Sequence, residues 1–475
     1  MLHKDFIHIA KRVLRDEFDA FEAALDDEPP VSIRINPRKS DRSNWQRYEQ
    51  IPWCETGYYL PHRPSFTFDP LFHAGAYYVQ EASSMFLEQA VLTILTRSSH
   101  TQNPVTALDL CAAPGGKSTH LSSILPDGSL LVSNEVVRSR SLILAENMAK
   151  WGIANTIITR NDPKAFNRTP HLFDFILADL PCSGEGMFRK DPAVRNEWSI
   201  DHVRLCAARQ RRIVHDVWEA LKPGGYLIYS TCTFNTEENE DNVRALSCEL
   251  GAEIVSIPVK SEWNITGSFS HDLPVYRFFP HRTRGEGFFL ALMQKPIVGR
   301  SDSAVGHSAS RYAHDRPDVG RSVSRYAHEP PDVPYAVGRS VSRYVHEPEN
   351  FVYKGAGAIT AIRKAHESVY AILSGKLNMI AAGLLLGEHK GNSFTPSASL
   401  ALSNELDVKA FPVVDLSCEQ AIAYLQREAL VMPANTPKGY VLVTYQKTPL
   451  GFVKNIGNRA NNLYPVEWRI KSRKP

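Results

Sequence analysis

Residues 173–188 read FDFILADLPCSGEGMF, and residues 221–234 read LKPGGYLIYSTCTF. Each segment holds an apolar, β-rich run, Phe173–Ala178 and Tyr226–Ser230. Each run leads to a cysteine in small polar company, Cys182 in DLPCSGEG and Cys232 in STCTF. Strands alternating with helical patterns read as βαβ units of a parallel sheet. Such sheets bind ligands outside the carboxyl ends of their strands. Both thiols are therefore expected to open onto one crevice. A lone cysteine at a strand end is ordinarily a small buried hydrophobe. Two at one topological position, one of them close behind Asp179 and Pro181, point to chemistry instead.

Upstream, the run Val105–Leu110 predicts the first strand of this sheet and leads at once into CAAPGGKSTHLSSIL. That is a glycine-rich turn opening a helix, where a ligand can approach the backbone and meet the helix N-terminus. The P-loop pattern fails, because its first glycine would have to be Cys111, and G-x-G-x-x-G is absent. A nucleoside-type site remains. The strand Ser129–Asn134 ends at Glu135, placed to accept both hydroxyls of a ribose. The strand Asn155–Thr159 ends near Asp162, which could receive an adenine amino group, and the next strand ends at Asp179. Three acids at successive strand ends behind a glycine turn suggest a nucleoside-bearing cofactor without a pyrophosphate.

Composition frames this reading. A chain of 475 residues exceeds the size of a single core, so two or three domains are expected. Shares of 43% hydrophobic and 22% charged residues are ordinary for a soluble protein, and a net charge of +3 decides nothing by itself. The seven cysteines are scattered with no C-x-x-C pair and no zinc spacing. That favours a reducing cytoplasm and no metal. The N-terminus is a charged amphipathic helix without the apolar core of a signal peptide. No apolar run approaches the roughly 18 residues of a membrane span, so no membrane partner is expected.

DLCAAPGGKS, DLPCSGEGMFRKDP and STCTFNTEENE together resemble the Sun/Nop family of S-adenosylmethionine-dependent RNA 5-methylcytosine methyltransferases. The resemblance is strong over Val31–Lys295 and looser beyond. It implies an α/β fold: a Rossmann-like methyltransferase domain between a small N-terminal α+β region and a C-terminal PUA-like RNA-binding domain. It implies that Cys111, Ala112, Ala113, Pro114, Gly115, Gly116, Lys117, Glu135, Asp162 and Asp179 hold S-adenosylmethionine. Cys232 would be the nucleophile, and Cys182 would assist release. DNA cytosine methyltransferases instead use the cysteine of a Pro-Cys motif, so the two thiols compete for the role; having both favours the RNA type. The chemistry suits the residue types. Cytosine C5 is a poor nucleophile until a thiolate adds to C6 and makes the ring an enamine. Asp179, if protonated, would stabilise the charge developing at N3. Lys190, in FRKDP, would contact the substrate or Asp179, or remain a solvated lysine.

The implied substrate is ribosomal RNA, specifically 16S rRNA of the small subunit, methylated by a monomeric enzyme. A tRNA target and a non-catalytic RNA-binding assembly role are the alternatives.

The chain divides into an N-terminal RNA-positioning region (1–75), the methyltransferase domain (76–297), a linker (298–350) and a C-terminal region (351–475). In the first, a helix over Asp5–Leu25 precedes the alternating strand VSIRI, with Arg34, Arg38, Lys39 and Arg42 making a basic edge. A helix is expected from about Glu81, with Gln80, Glu81, Ser83 and Ser84 near the crevice. Cys206 and Cys248 fall on helices and are expected in the core. The runs Pro274–Phe279 and Gly287–Met293 flank HRTRGEG and are expected to pair as a closing hairpin. The linker carries SASRYAHD, SVSRYAHE and SVSRYVHE at Ser308, Ser322 and Ser340, each with too little apolar surface to fold alone. From Val431 onward there are eight Lys/Arg against one Asp/Glu, interleaved with Tyr440, Tyr445, Phe452, Tyr464 and Trp468. That pattern suits RNA backbone and exposed bases.

Overall fold

The computed structural model describes residues 2–98, 103–297, 330–391 and 393–472. A three-stranded antiparallel sheet comes first, in the order β2-β1-β3, from β1 (Val31–Ile35), β2 (Gly57–Leu60) and β3 (Tyr77–Val79). Ahead of it the expected single helix is two, Lys4–Leu14 and Phe18–Ala24. The break falls at Arg15, whose φ of 50° lies outside the helical region. These helices do not form a separate unit. Phe6 and Phe21 share a core with Phe188, Trp198, Phe234 and Phe279 of the loops around the thiols.

The central sheet holds β4 (Thr106–Asp109), β5 (Leu130–Asn134), β6 (Thr156–Thr159), β7 (Phe173–Asp179) and β8 (Leu221–Thr231) in parallel pairing. Their apolar residues are buried on both faces, as crossover helices on each side require. Strand order runs β8-β7-β4-β5-β6, so it reverses between β4 and β7. The turn at 111–116 and the loop at 180–187 leave the sheet on either side of that switch point, where open α/β sheets bind ligands. Beyond β8 come β9 (Glu253–Val255), β10 (Val275–Phe278) and β11 (Phe288–Gln294), with β10 and β11 forming the expected antiparallel hairpin. Cys206 is buried as expected, whereas Cys248 is exposed. It lies on the outward side of its helix, while Val243 and Leu246 face the core.

The C-terminal region has two four-stranded sheets. One uses β12 (Phe351–Lys354), β13 (Ala358–Arg363), β15 (Leu384–Lys390) and β16 (Ser393–Pro396). Between β13 and β15, β14 (Met379–Ala382) instead pairs antiparallel with β6 and extends the central sheet. Tyr370, Leu373 and Leu377 pack into the same core as β7 and β8, so the two regions share one hydrophobic interior. The other sheet comprises β17 (Val413–Asp415), β18 (Gly439–Tyr445), β19 (Thr448–Asn455) and β20 (Ala460–Asn462).

The expected linker ends earlier than residue 350. The repeats at Ser308 and Ser322 lie outside the described residues, but the third copy is folded. Tyr344 is stacked between Phe394 and Phe411, at ring separations of 5.1 and 4.9 Å, and Val341 and Val345 are buried beside it. Alone, the repeat has too little apolar surface; the neighbouring sheets supply the rest. Tyr344→Ala should cost about 3 kcal/mol of stability, read as a lower urea midpoint. A change within about 0.5 kcal/mol would return this segment to the linker.

Arg34, expected on a basic edge, is fully buried. Its guanidinium donates to Gln80 Oε1 at 2.9 Å and Thr119 Oγ1 at 2.6 Å, and lies 4.5 Å from the Trp151 ring centroid. The N-terminal sheet thus grips the helix Gly116–Ile124 that the glycine turn opens. Near that grip, Cys54, Glu88 and His120 form a buried trio, the one group of such ligand types drawn together among the described residues. Its members bond to one another: Cys54 Sγ and His120 Nε2 lie 3.2 and 3.0 Å from Glu88 Oε2. No helix among the described residues is long and apolar enough to cross a membrane.

Candidate active site

Four chain segments meet at the carboxyl ends of β4, β7 and β8. After β4, Gly115 adopts φ +116°, a conformation that side chains disfavour, and turns the chain into the helix Gly116–Ile124. A Cβ on Gly116 would sit 3.3 Å from the Tyr78 ring, so the turn is pressed against the N-terminal sheet. Asp109, just before the turn, is fully buried and accepts from Ser118 Oγ at 2.6 Å. Burial pushes its carboxyl up to about 7, against the opposing pull of the Ser118 hydroxyl. Its Oδ1 has no partner.

Glu135 follows β5 and is 3% exposed, accepting from Val137 N at 2.9 Å and facing Arg140 NH1 at 3.2 Å. Beside it Val136 and Val137 are exposed, an apolar pair next to a carboxylate. Asp162 is exposed and caps the turn that follows β6, accepting from Lys164 N at 3.0 Å. An orphaned acid at Asp109, a buried acid at Glu135, an open apolar pair and a glycine cradle fit a nucleoside with an amino-acid tail.

Asp179 ends β7. Its Oδ2 lies 2.8 Å from Lys117 Nζ, and its Oδ1 accepts from Ser230 Oγ at 2.8 Å. Burial works against the Lys117 ammonium, but the Asp179 carboxylate outweighs it and raises the pKa. The glycine turn and the end of β7 are therefore joined by an ion pair.

The thiols touch: Cys182 Sγ and Cys232 Sγ are 3.2 Å apart, and Cys232 N donates to Cys182 Sγ at 3.4 Å. The loops are locked by Gly186 N donating to Cys232 O at 2.8 Å, and a Cβ on Gly186 would collide with Cys232 O and Gly287 O. The Cys182 thiol is held well above its ordinary value. The bond to Cys232 contributes most, then burial, then the charges of Cys232 and Glu238. Either sulfur can donate in the contact between them. Cys111, by contrast, is a half-buried member of the turn, and desolvation with the neighbouring acids raises its thiol well above the ordinary value.

Most residues singled out in the sequence meet here, but Lys190 does not join Asp179. Its ammonium faces Glu286 at 3.8 Å, beside the buried pair Arg189–Glu286 at 2.9 Å. Arg189 and Lys190 belong to the wall of a cleft that runs past Gln80, Glu81 and Gly285 to Pro30 and His62. Gln80 and Glu81 serve the frame: Gln80 receives Arg34, and Glu81 accepts from Ser83 N, Ser84 N and Glu286 N. The expected helix starts as a 3₁₀ turn over Ser83–Phe86 and becomes α-helical at Leu87. The sequence reading missed Asp109, Ser118 and Ser230. A carboxylate at the end of the first strand, two residues before Cys111, is the signal that could have found Asp109, and no local pattern marks the serines.

Fold and site define a class: a Rossmann-like methyltransferase with a C-terminal PUA domain. The family model for 16S rRNA methyltransferase RsmB/F matches residues 97–294. Models for the N-terminal domain of 16S rRNA methyltransferase RsmF and for the methyltransferase RsmF PUA domain match 2–82 and 411–470. Ribosomal RNA small subunit methyltransferase F of Pectobacterium atrosepticum is 31% identical over 465 residues, covering 91% of this chain and 88% of that protein. Its counterpart from an Enterobacter species is 30% identical, covering 95% and 92%. The chain belongs to this family of RsmF-type methyltransferases. Among solved structures, a methyltransferase homolog protein from Pyrococcus horikoshii aligns with TM-score 0.53 and 26% identity over 62% of this chain and 95% of that one. NSun6 from the same organism aligns with TM-score 0.52 at 19% identity, covering 62% and 98%.

Proposed function

We propose that the protein methylates cytosine C5 in small-subunit ribosomal RNA through a covalent bond between Cys232 and C6. The observation that carries this reading is the Cys182–Cys232 contact beside the Lys117–Asp179 pair. A base placed over β7 and β8 meets a sulfur and a carboxylate together. S-adenosylmethionine, held by Cys111–Lys117, Glu135, Asp162 and Asp179, would supply an electrophilic methyl group. Cys232 adds to C6 as a thiolate, so that C5 becomes the nucleophile. The Lys117 ammonium stabilises the negative charge that develops across the ring, and Asp179, once it takes a proton, donates to N3. Once C5 carries the methyl, its proton leaves to solvent, the C6–sulfur bond breaks, and Cys232 departs as a thiolate.

The relatives' names supply the ribosomal substrate, and the seven free cysteines suit a reducing cytoplasm. Bisulfite sequencing of rRNA and tRNA from a strain lacking the gene tests the reading. A small-subunit rRNA cytosine that loses its mark supports it; an unchanged rRNA map with a changed tRNA map overturns the substrate.

The C-terminal sheet offers the RNA a basic edge. Lys454 lies over the Tyr440 ring at 5.4 Å, and Lys438 and Arg459 flank the same end of β18 and β19. Phe452 and Tyr464 are buried in the packing instead, so removing residues 431–475 would unfold the sheet rather than strip a surface. Replacing Lys438, Lys454 and Arg459 by alanine should weaken RNA binding and flatten the log–log salt slope by about 2 units. An unchanged slope would place the RNA elsewhere.

A further inference from the structure

The register of β7 and β8 decides how the two thiols meet. Asp179 pairs with Ser230, and the thiol loops leave from there, with Cys182 three residues on and Cys232 two. The loops are cross-braced without help from the sulfurs. Glu185 of the first loop is 1% exposed and accepts from the second, Phe234 N at 2.6 Å and Asn235 N at 2.9 Å. Glu238, beyond Cys232 and fully buried, returns the bond by accepting from Ser183 N at 3.0 Å. Ser183 Oγ and Thr233 Oγ1 lie 2.9 Å apart beside them, and Gly186 N donates to Cys232 O. Each loop is thus tied to the other on the backbone around its cysteine, and the fold itself sets the sulfur contact at 3.2 Å.

A disulfide bond is about 2.05 Å long, so closing the pair asks the sulfurs to approach by about 1.2 Å. Shared between two side chains, that is a turn of about 20° at each χ1, which stays within a staggered well. The braces need not break. Both sulfurs are half-buried and open to a small oxidant, whereas Cys54 and Cys206 are buried.

We propose that Cys182 and Cys232 are an oxidation site, closed to a disulfide by hydrogen peroxide and reopened by thiols; that closure stops methyl transfer rests on the reading of the previous subsection. One sulfur, as a thiolate, attacks a peroxide oxygen. A sulfur–oxygen bond forms, the O–O bond breaks, and the hydroxide that leaves takes up the proton the thiol had given to solvent. That cysteine is now a sulfenic acid. The second sulfur attacks the oxidised one, an S–S bond forms, the S–O bond breaks, and water leaves with the second thiol's proton. The sulfurs together lose two electrons and the peroxide gains them. Cys232 then has no thiolate to add to C6. The neighbour also protects it, because a sulfenic acid captured as a disulfide does not go on to the irreversible sulfonic acid.

The test treats reduced full-length protein with hydrogen peroxide, without RNA or S-adenosylmethionine, and maps its peptides by mass spectrometry under non-reducing conditions. The expected product is a linked Cys182–Cys232 pair, lighter by two hydrogens, that dithiothreitol reverses. Methyl transfer to RNA by the same samples should fall at least about tenfold on oxidation and return to within about twofold after reduction. In Cys182→Ala, which lacks the resolving thiol, Cys232 should accumulate at least about tenfold more sulfinic and sulfonic acid than in the wild type. Links confined to the exposed Cys248 and Cys418, or wild-type Cys232 over-oxidised as fast as in the variant, would overturn the oxidation site. The wild-type map decides by itself should the variant not fold. A closed pair that still methylates at the full rate would overturn the effect on activity. The linkage is read without nucleic acid, so failure of the cytosine reading leaves that result standing.

Discussion

Cys232→Ala will form no covalent adduct with RNA and will lose turnover on the order of 10⁴-fold or more, the scale of a covalent enzyme deprived of its nucleophile. It will still bind S-adenosylmethionine, because the glycine turn and Glu135 do not depend on that sulfur. Cys182→Ala should behave differently. It removes the thiol 3.2 Å from Cys232 but leaves the nucleophile, so addition and methyl transfer proceed and release stalls. A denaturing gel of enzyme, substrate RNA and S-adenosylmethionine separates the two. The expected result is a slow-migrating, nuclease-sensitive band with Cys182→Ala alone. The double variant should resemble Cys232→Ala. A trapped band with Cys232→Ala instead would exchange the roles and install the Pro-Cys mechanism.

The second large effect is expected at Asp179. Its carboxylate binds Lys117 on one oxygen and Ser230 on the other, so Asp179→Asn keeps the shape but removes the charge that faces the half-buried Lys117 ammonium. Turnover should fall by about 10²–10³, the usual cost of losing one preorganised group at a developing charge. If Asp179 and Lys117 act as a unit, Asp179→Asn combined with Lys117→Met should be little worse than either alone. Steady-state rates with saturating RNA decide this. A loss below tenfold for Asp179→Asn, or strictly multiplying effects, would reduce the pair to a structural bridge.

The amino-acid pattern alone determined the parallel sheet, the glycine turn and the placing of Cys111, Glu135, Asp179, Cys182 and Cys232 at strand ends. These follow from local order: apolar runs of strand length, a break at small residues, then helical periodicity. The register of a strand then carries its last residue to the same edge as its neighbours'. The motifs also carried the family resemblance, since each is a contiguous string.

Only the tertiary structure decided the rest. It brought Cys182 and Cys232 into contact across 50 residues, crossed Glu185 and Glu238 between the two loops, and aimed Lys190 at Glu286. It buried Arg34 under Trp151, folded Tyr344 between Phe394 and Phe411, and laid β14 along β6. Each of these turns on partners distant in sequence. An arginine in a strand reads as an exposed edge until an aromatic ring and acceptors from another element receive it. A repeat with one tyrosine and two valines reads as a linker until neighbouring sheets supply the other half of its core. Periodicity records which face of an element is apolar, whereas the surface that meets that face is set by packing of the whole chain.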